Sequence, residues 1–418
     1  MARLAPLSLR LIDPAWTSRV PAPAHDALTP AQRRRFIAEY PDTYLTVTRS
    51  PEDLQADEFW DAKVALDHSR AALERLISQG AFGAPADPCF YLYRLSDPDH
   101  SQIGIVAGVA TDDYDLGVIR VHEQVRPSRV EHLKEQTAGV KVQSSPIALA
   151  HRPNLTIESL LVSWMAAVEP LVDFTSLDGV RQQVWAVAPE TGRLLQEALA
   201  DEPLYLIDGH HRAAATSRLR AEAGGRANDW MLCAIFSSTD LRNEAFHRRL
   251  PGTDGEAMVE AVSEHFAIRP ANDLAEVLAR ADDELALVTR NESGGDQWYL
   301  VGLPPAGHGA GVTSGDVPPD AAEIVGGLET VRLQHHVLEP LLGVDAGDVA
   351  SRVEFSHGLA DHDDLAQLGA EETDPVWVMR PVPLETVMDA SDVGATMPPK
   401  STYFQPKVRS GVFLRSLD

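Results

Sequence analysis

The chain reads as a mixed α/β protein, α+β in arrangement, with two domains. Three observations predict this. Short apolar runs of strand length alternate with longer stretches at helical spacing from one end to the other. The segment Tyr205-Leu206-Ile207-Asp208-Gly209-His210-His211-Arg212-Ala213-Ala214-Ala215 reads as strand, tight turn and helix. The pattern then breaks at Phe246–Gly252, and a boundary near Gly255 separates residues 1–255 from residues 256–418.

Bulk composition narrows the function classes. A length of 418 residues suffices for two or three domains with substantial cores. Hydrophobic content of 44% and charged content of 23% are ordinary for a globular protein. The net charge of -26 favours solubility and argues against nucleic acid as a partner, which needs a basic face. Cys89 and Cys233 are the two cysteines, each in an apolar context. They read as buried thiols in a reducing cytoplasm, not as a disulfide framework or a zinc site. Met1–Trp16 has no apolar core of the signal-peptide kind, and no run of about 18 apolar residues suits a membrane. No fixed-period repeat is present.

In chain order, residues 1–35 are Pro-rich and irregular, and Arg33-Arg34-Arg35 opens a helix whose charges form a solvated face. Tyr44–Thr48 reads as a short strand, and Phe59–Ile77 as an amphipathic helix. Residues 89–123 read as a β-meander. Its strands are Cys89–Tyr93, Gln102–Ala110 and Gly117–Val121, and Asp112–Asp115 forms a polar turn. Arg129–Thr137 is helix-competent, Val142–Pro146 a loop, Ile147–Ala150 a strand and Thr156–Ala167 mostly apolar. Gln182–Val187 is a strand, and Pro189 opens a helix to Leu199. The helix after Asp208-Gly209 stops at Gly224-Gly225, and Trp230–Phe236 is a buried strand. Beyond Gly255, helices are expected at Glu256–Phe266, Leu274–Ala281 and Leu328–Leu342. Strands are expected at Leu285–Thr289, Trp298–Gly302 and Val376–Met379, and residues 303–320 form a loop.

The chemistry-bearing residues gather at strand ends, where active sites of α/β proteins collect. Gly209 permits close backbone approach, and the helix start behind it offers free N–H groups and a positive dipole end to an anion. Arg212 adds a forked cation that fits phosphate oxygens. Asp208 can hold a metal or accept a proton, and His210 and His211 can donate to phosphate or titrate near neutral pH. Val121-His122-Glu123-Gln124 likewise follows a strand, so Glu123 and Asp208 could act as a base and its metal or proton partner. Phosphoryl transfer asks for positioning, charge neutralisation and a base, all of which this set provides. A strand-end salt bridge is the plain alternative for Glu123. In the tail, Lys400 and Lys407 could return as phosphate clamps, with Tyr403 or Phe404 stacked on a base, or the aromatics simply pack on the core. His247-Arg248-Arg249 either joins the anion site or is a surface turn. His335-His336, His357 and His362 have no metal-ligand spacing, because adjacent helix residues face apart.

Asp-Gly-His-His-Arg after Tyr-Leu-Ile, with His-Glu-Gln upstream, resembles the free serine kinases of the ParB/sulfiredoxin-like superfamily. Nearly the whole chain is similar to the microbial family DUF1015, as Gly117–Glu123, Phe246-His247-Arg248 and the tail Pro399–Phe404 with Pro406-Lys407 suggest. The resemblance implies a ParB/sulfiredoxin-like nucleotide-binding core with an additional α/β C-terminal domain. It implies Glu123 as the base that deprotonates a serine hydroxyl, Asp208 as a second catalytic residue, and Gly209, His210, His211 and Arg212 as the phosphate cradle. It also implies ADP or ATP as donor, with Mg²⁺. The aromatic residue that often follows the Arg is Ala213 here, the insertion between the motifs is long, and the small kinases lack the C-terminal domain.

Three functions follow for comparison. The first is a nucleotide-dependent phosphotransferase acting on a small hydroxylated metabolite such as serine. The second is a nucleotide- or amino-acid-binding regulator without turnover. The third is a hydrolase using His210 or His211 with a metal.

Overall fold

The computed structural model describes residues 2–23, 25, 28–53, 62–223, 226–290, 295–305, 319–346, 348–358 and 374–418. Contacts divide the chain into two compact units. The first comprises Met1–Val121, Val125–Arg242 and Pro406–Asp418; the second comprises His122–Gln124 and Asn243–Gln405. The chain therefore does not divide once near Gly255. A strand runs straight through Phe246–Arg249, and the last residues return to the first unit. The expected stop at Gly224-Gly225, most of the 303–320 loop, the first turn of the Phe59–Ile77 helix and His362 lie outside the described residues.

The first unit is built on one mixed sheet. Its strands are β1 (Leu4–Ala5), β2 (Tyr91–Ser96), β3 (Ser101–Ala110), β4 (Ile119–Arg120), β5 (Ile147–His151), β6 (Val172–Thr175), β7 (Arg181–Ala186), β8 (Leu204–Asp208) and β9 (Trp230–Ser237). The order is β4-β8-β5-β9-β3-β2-β7-β6, with β1 also on β3. Apolar β9 sits centrally, antiparallel to β3 and parallel to β5, and it is buried from Met231 to Ser237. β4 lies at the far edge, parallel to β8, so residues 89–123 are not a meander. A chain that leaves β3 through a short helix can cross to a distant edge, which hairpin turns cannot do. That helix is α3 (Thr111–Asp115), where a polar turn was expected.

One face of this sheet carries Leu92, Ile105, Leu149, Leu204, Leu206 and Ile235. Helices α5 (Leu155–Ala167) and α6 (Pro189–Leu199) cover it with Ile157, Leu161, Leu195 and Leu199. Burial of these side chains supplies the driving force, roughly 1.5–3 kcal/mol for each. Two other helices, α4 (Pro127–Val140) and α7 (His210–Ala223), pack on each other, with Val130, Ala214 and Ala215 buried between them. A separate small sheet joins Arg10–Leu11, Val142–Gln143 and the C-terminal strand Phe413–Ser416.

Two local expectations give way to tertiary context. Tyr44–Thr46 is a 3₁₀ turn, not a strand, and is buried; the Tyr44 N–H donates to the Val20 carbonyl at 2.8 Å. Helix α1 (Pro30–Glu39) carries the three arginines, yet Arg33 is buried. Its guanidinium donates to Asp53 at 2.7 Å and to the carbonyls of His25 and Leu28 at 3.0 and 2.6 Å. A buried carboxylate with its hydrogen bonds satisfied makes that location tolerable; burial raises the Asp53 carboxyl, but the His25 ring, the Ser50 N–H and Arg33 together hold it well below its ordinary range.

The second unit has its own sheet of β10 (Arg242–Arg249), β11 (Ile268–Ala271), β12 (Glu284–Arg290), β13 (Asp296–Gly302), β14 (Glu354–Gly358), β15 (Val376–Val378) and β16 (Tyr403–Gln405). The order is β11-β13-β12-β15-β10-β14, with β16 also on β10. Helix α8 (Gly255–Ser263) packs Met258 and Val262 with Leu285, Leu287, Leu333, Val337 and the fully buried Trp377. The long helix expected at Leu328–Leu342 is present from Glu329, but Gln334–Leu338 is wound as a π-helix.

The His247 and Arg248 side chains are buried in this unit and are not a surface turn. His247 Nδ1 accepts the N–H of Met379 at 3.2 Å. Burial, with Arg280 and Arg248 nearby, pushes its imidazole down to about 4. Arg248 donates to the Phe246 carbonyl at 3.1 Å and lies over the Phe355 ring; burial lowers it to about 10.

Two outcomes follow. Gly104 stands opposite Phe236 in the β3–β9 ladder, and a Cβ there would lie 2.7 Å from the Phe236 ring. Because Phe236 is fully buried, Gly104→Ala should destabilise the protein by about 1–3 kcal/mol in a denaturant titration. His247 is held neutral in the fold, below its unfolded value near 6.5. Its contribution is intact above that value and is lost as pH falls from about 6.5 towards 4, by roughly 3 kcal/mol in all. His247→Gln should flatten that part of the stability–pH curve.

Candidate functional site

The junction between β8 and α7 is set by the alternation of the strand and by one irregularity in it. Leu204 and Leu206 belong to the core face. Strict alternation would turn Asp208 onto that same face. Instead the register against β5 shifts between Leu206 and Asp208, so that Leu206 faces Leu149 and Asp208 faces Ala148. Leu149 is in the apolar cluster and Ala148 is its neighbour along the strand, so Asp208 stands on the opposite side. The bulge thus keeps a carboxylate out of an apolar core.

Gly209 has φ of +97°, which side-chain-bearing residues resist. A Cβ at this position would lie 2.8 Å from Arg212 Nη2. The glycine therefore allows both the turn and the close return of the arginine. Helix α7 begins at His210, and the N–H of Ala213 already bonds back to the Gly209 carbonyl at 2.9 Å.

Both oxygens of Asp208 meet cations. Arg212 Nη2 donates to Oδ2 at 2.6 Å, and Lys407 Nζ donates to Oδ1 at 2.7 Å. Arg212 Nη1 donates to the carbonyls of Ser145 and Pro146 at 2.7 and 2.8 Å. The side chains of Asp208, Arg212 and Lys407 are 15%, 26% and 10% exposed, so these pairs are less screened than surface ones. One carboxylate against two cations leaves a formal charge of about +1 beside the positive end of α7. Within a chain of net charge -26, that is a local excess of positive charge. His210 is buried at the start of α7, and His211 Nε2 accepts the N–H of Arg126 at 3.1 Å, just before α4.

The structure thus brings together Asp208, Gly209, His210, His211, Arg212 and Lys407. His122–Gln124 belongs to the second unit, where the His122 carbonyl accepts the Met397 N–H at 2.7 Å and its Nε2 lies 3.3 Å from Thr402 Oγ1. Glu123 is half-buried in that segment. Lys400, in the same unit, sits with its Nζ 4.8 Å from the Phe246 ring centroid, and Tyr403 stacks on His357 at 3.8 Å. The tail aromatics therefore pack within the protein. His247 and Arg248 are tied to Met379 and Phe246 as described above. A cavity of ≈ 350 Å³ in the second unit, with Leu250, Leu342, Val344 and Arg352 in its wall, has none of the expected site residues in its lining.

The carbonyls of Ser145 and Pro146 that seat Arg212 were not anticipated. The signal was only a Ser-Ser-Pro loop between two strands, and backbone acceptors have no residue-type signature. Among the described residues, no helix is long and apolar enough to cross a membrane, and no group of three or more His, Cys, Asp or Glu side chains could hold a metal ion.

Solved structures that resemble the chain include a free serine kinase in complex with AMP. It is 16% identical, with 72% of this chain and 86% of that one covered and a TM-score of 0.35. A variant of a free serine kinase in complex with ADP is 15% identical, with 72% and 87% covered and a TM-score of 0.35. SbnI with a C-terminal truncation, from Staphylococcus aureus, is 12% identical, with 72% and 82% covered and a TM-score of 0.35. No curated protein matches the chain. The model of the family described as "Protein of unknown function (DUF1015)" matches residues 7–315, and the chain belongs to that family.

Proposed function

We propose that this protein is a nucleotide-dependent phosphotransferase acting on a small hydroxylated metabolite, with free serine the first acceptor to test. The observation that carries this reading is the junction at Asp208–Arg212. It combines a positive-φ glycine, a helix start and a carboxylate clamped by Arg212 and Lys407. Preorganised cations and amides of this kind suit the charge that develops on a transferring phosphoryl group.

In this reading Gly209, His210, His211 and Arg212 receive the phosphates of ADP or ATP. Glu123 takes the proton of the acceptor hydroxyl as its oxygen bonds to phosphorus and the bond to the nucleotide breaks. Support for Glu123 comes from topology: β4 and β8 are parallel neighbours, Glu123 comes three residues after the end of β4, and Gly209 comes one residue after the end of β8. Asp208, with both oxygens on cations, acts by holding Arg212 and Lys407. A Mg²⁺ fits here as a companion of the nucleotide phosphates and waters better than as an ion in a protein cage.

The saturated state of Asp208 also favours a second reading, a nucleotide-binding regulator of the ParB-like class without turnover. The two separate in one comparison. ATP and ADP turnover is measured with a panel of amino acids, serine included, and calorimetry follows nucleotide binding. The kinase reading expects acceptor-stimulated turnover that falls about 10²–10⁴-fold in Glu123→Gln and also falls in Asp208→Asn. Binding with no acceptor ever stimulating turnover would leave the regulator. Gly209→Ala should weaken nucleotide binding in either case, about tenfold or more, because the added methyl displaces the Arg212 guanidinium and strains the backbone.

A further inference from the structure

The C-terminal residues of the first unit do more than close a small sheet. The Pro406 carbonyl accepts from Gln102 Nε2 at 3.0 Å in a buried bond. Lys407 reaches Asp208. Arg409 pairs with Asp178, and Ser410 Oγ meets Ser145 Oγ. The N–H of Gly411 donates to Ser144 Oγ at 2.8 Å, and Phe413 and Leu414 pair with Leu11 and Arg10.

These contacts form a closed ring. Asp208 bonds Arg212, and Arg212 bonds the carbonyls of Ser145 and Pro146. Ser144 and Ser145 bond Gly411 and Ser410, and the chain from Ser410 back to Lys407 returns to Asp208. Arg212 on α7 and Lys407 on the strap Pro406–Gly411, far apart in the chain, thereby hold one carboxylate, one on each oxygen. The charges explain why both cations are needed. A single pair anchors one oxygen of an aspartate; a cation on each oxygen also fixes the plane of the carboxylate, because a turn about χ2 then breaks both pairs. The Lys407 side chain is 10% exposed, so its stem is packed and the ammonium is not a mobile surface charge.

We propose that Lys407 is a positioning residue of the phosphate site: it fixes the Asp208 carboxylate, and through it the Arg212 guanidinium, so that the C-terminal strap is an integral part of the site. Lys407 lies beyond the 7–315 stretch that the family model matches. The inference rests on the proposed phosphate-binding role of the junction but makes a separate claim about how it is held.

The test is a double-mutant cycle on the full chain: wild type, Lys407→Met, Asp208→Asn and the two together, with Lys407→Arg as the conservative variant. Each protein is read by thermal melting, by ADP binding in calorimetry and by nucleotide turnover with serine. Positioning predicts that Lys407→Met lowers ADP affinity or turnover at least tenfold while the protein still melts cooperatively. It further predicts that the same substitution costs less than twofold in the Asp208→Asn background, and that Lys407→Arg restores most of the loss. A merely structural lysine would lower the melting temperature and would leave the two effects multiplying independently; that result overturns the proposal. So does a Lys407→Met protein that binds and turns over within twofold of wild type. Coupling seen in ADP binding when no acceptor supports turnover sustains the role of Lys407 and sinks only the kinase reading. Absence of both binding and turnover in wild type overturns both.

Discussion

The carboxylate of Asp208, seated between a guanidinium and an ammonium, is the interaction on which the junction depends. It is the group that both cations share. Arg212 must fold back over Gly209 to reach Oδ2, and it does so only because that residue has no Cβ. The carbonyls of Ser145 and Pro146 then take the other guanidinium nitrogen, which fixes the plane of the fork. Partial burial lowers the screening around all three charges, so breaking one pair leaves a poorly solvated partner behind. The excess positive charge is local and is bounded by the helix start.

That arrangement has a backbone origin. The alternation of β8 alone would place a charge among Leu149, Leu204 and Leu206. A single irregularity before Asp208 resolves the conflict, and the strand can remain apolar up to its last residue. The strand thus serves the core and the site in succession. A bulge at a strand end next to functional groups is a common way of re-aiming a side chain.

Much of this was legible in the sequence because it is local. The strand, turn and helix around Asp208-Gly209 follow from an apolar run, a glycine and an alanine-rich stretch. Strands such as Trp230–Ser237 and helices such as Pro189–Leu199 declare themselves by composition and by proline at the first turn. What could not be read is long-range. Arg33 looks like a surface charge until Asp53 is known to lie beside it. Tyr44–Thr46 has strand-forming residues yet is wound as a buried 3₁₀ turn. The meander failed because sheet neighbours are chosen by topology, not by order along the chain. His247-Arg248-Arg249 was open to two readings, part of the anion site or a surface turn, because the buried strand that holds it pairs with segments more than 100 residues away.

The tail shows the same limit from the other side. Lys400 and Lys407 are equivalent by type and spacing as candidate clamps, yet they have different surroundings. Lys400 has a positive φ of 62° and lies against an aromatic ring, which satisfies a cation through the quadrupole of the ring and asks nothing of a ligand. Lys407 lies against a carboxylate that is already half-neutralised by Arg212. The second cation adds less attraction than the first, because the carboxylate it meets is partly compensated, and its packed stem has already given up rotamer freedom. An interaction built at that entropic cost for so small an electrostatic return is better explained by geometry, the fixing of Asp208 from both sides, than by stability alone.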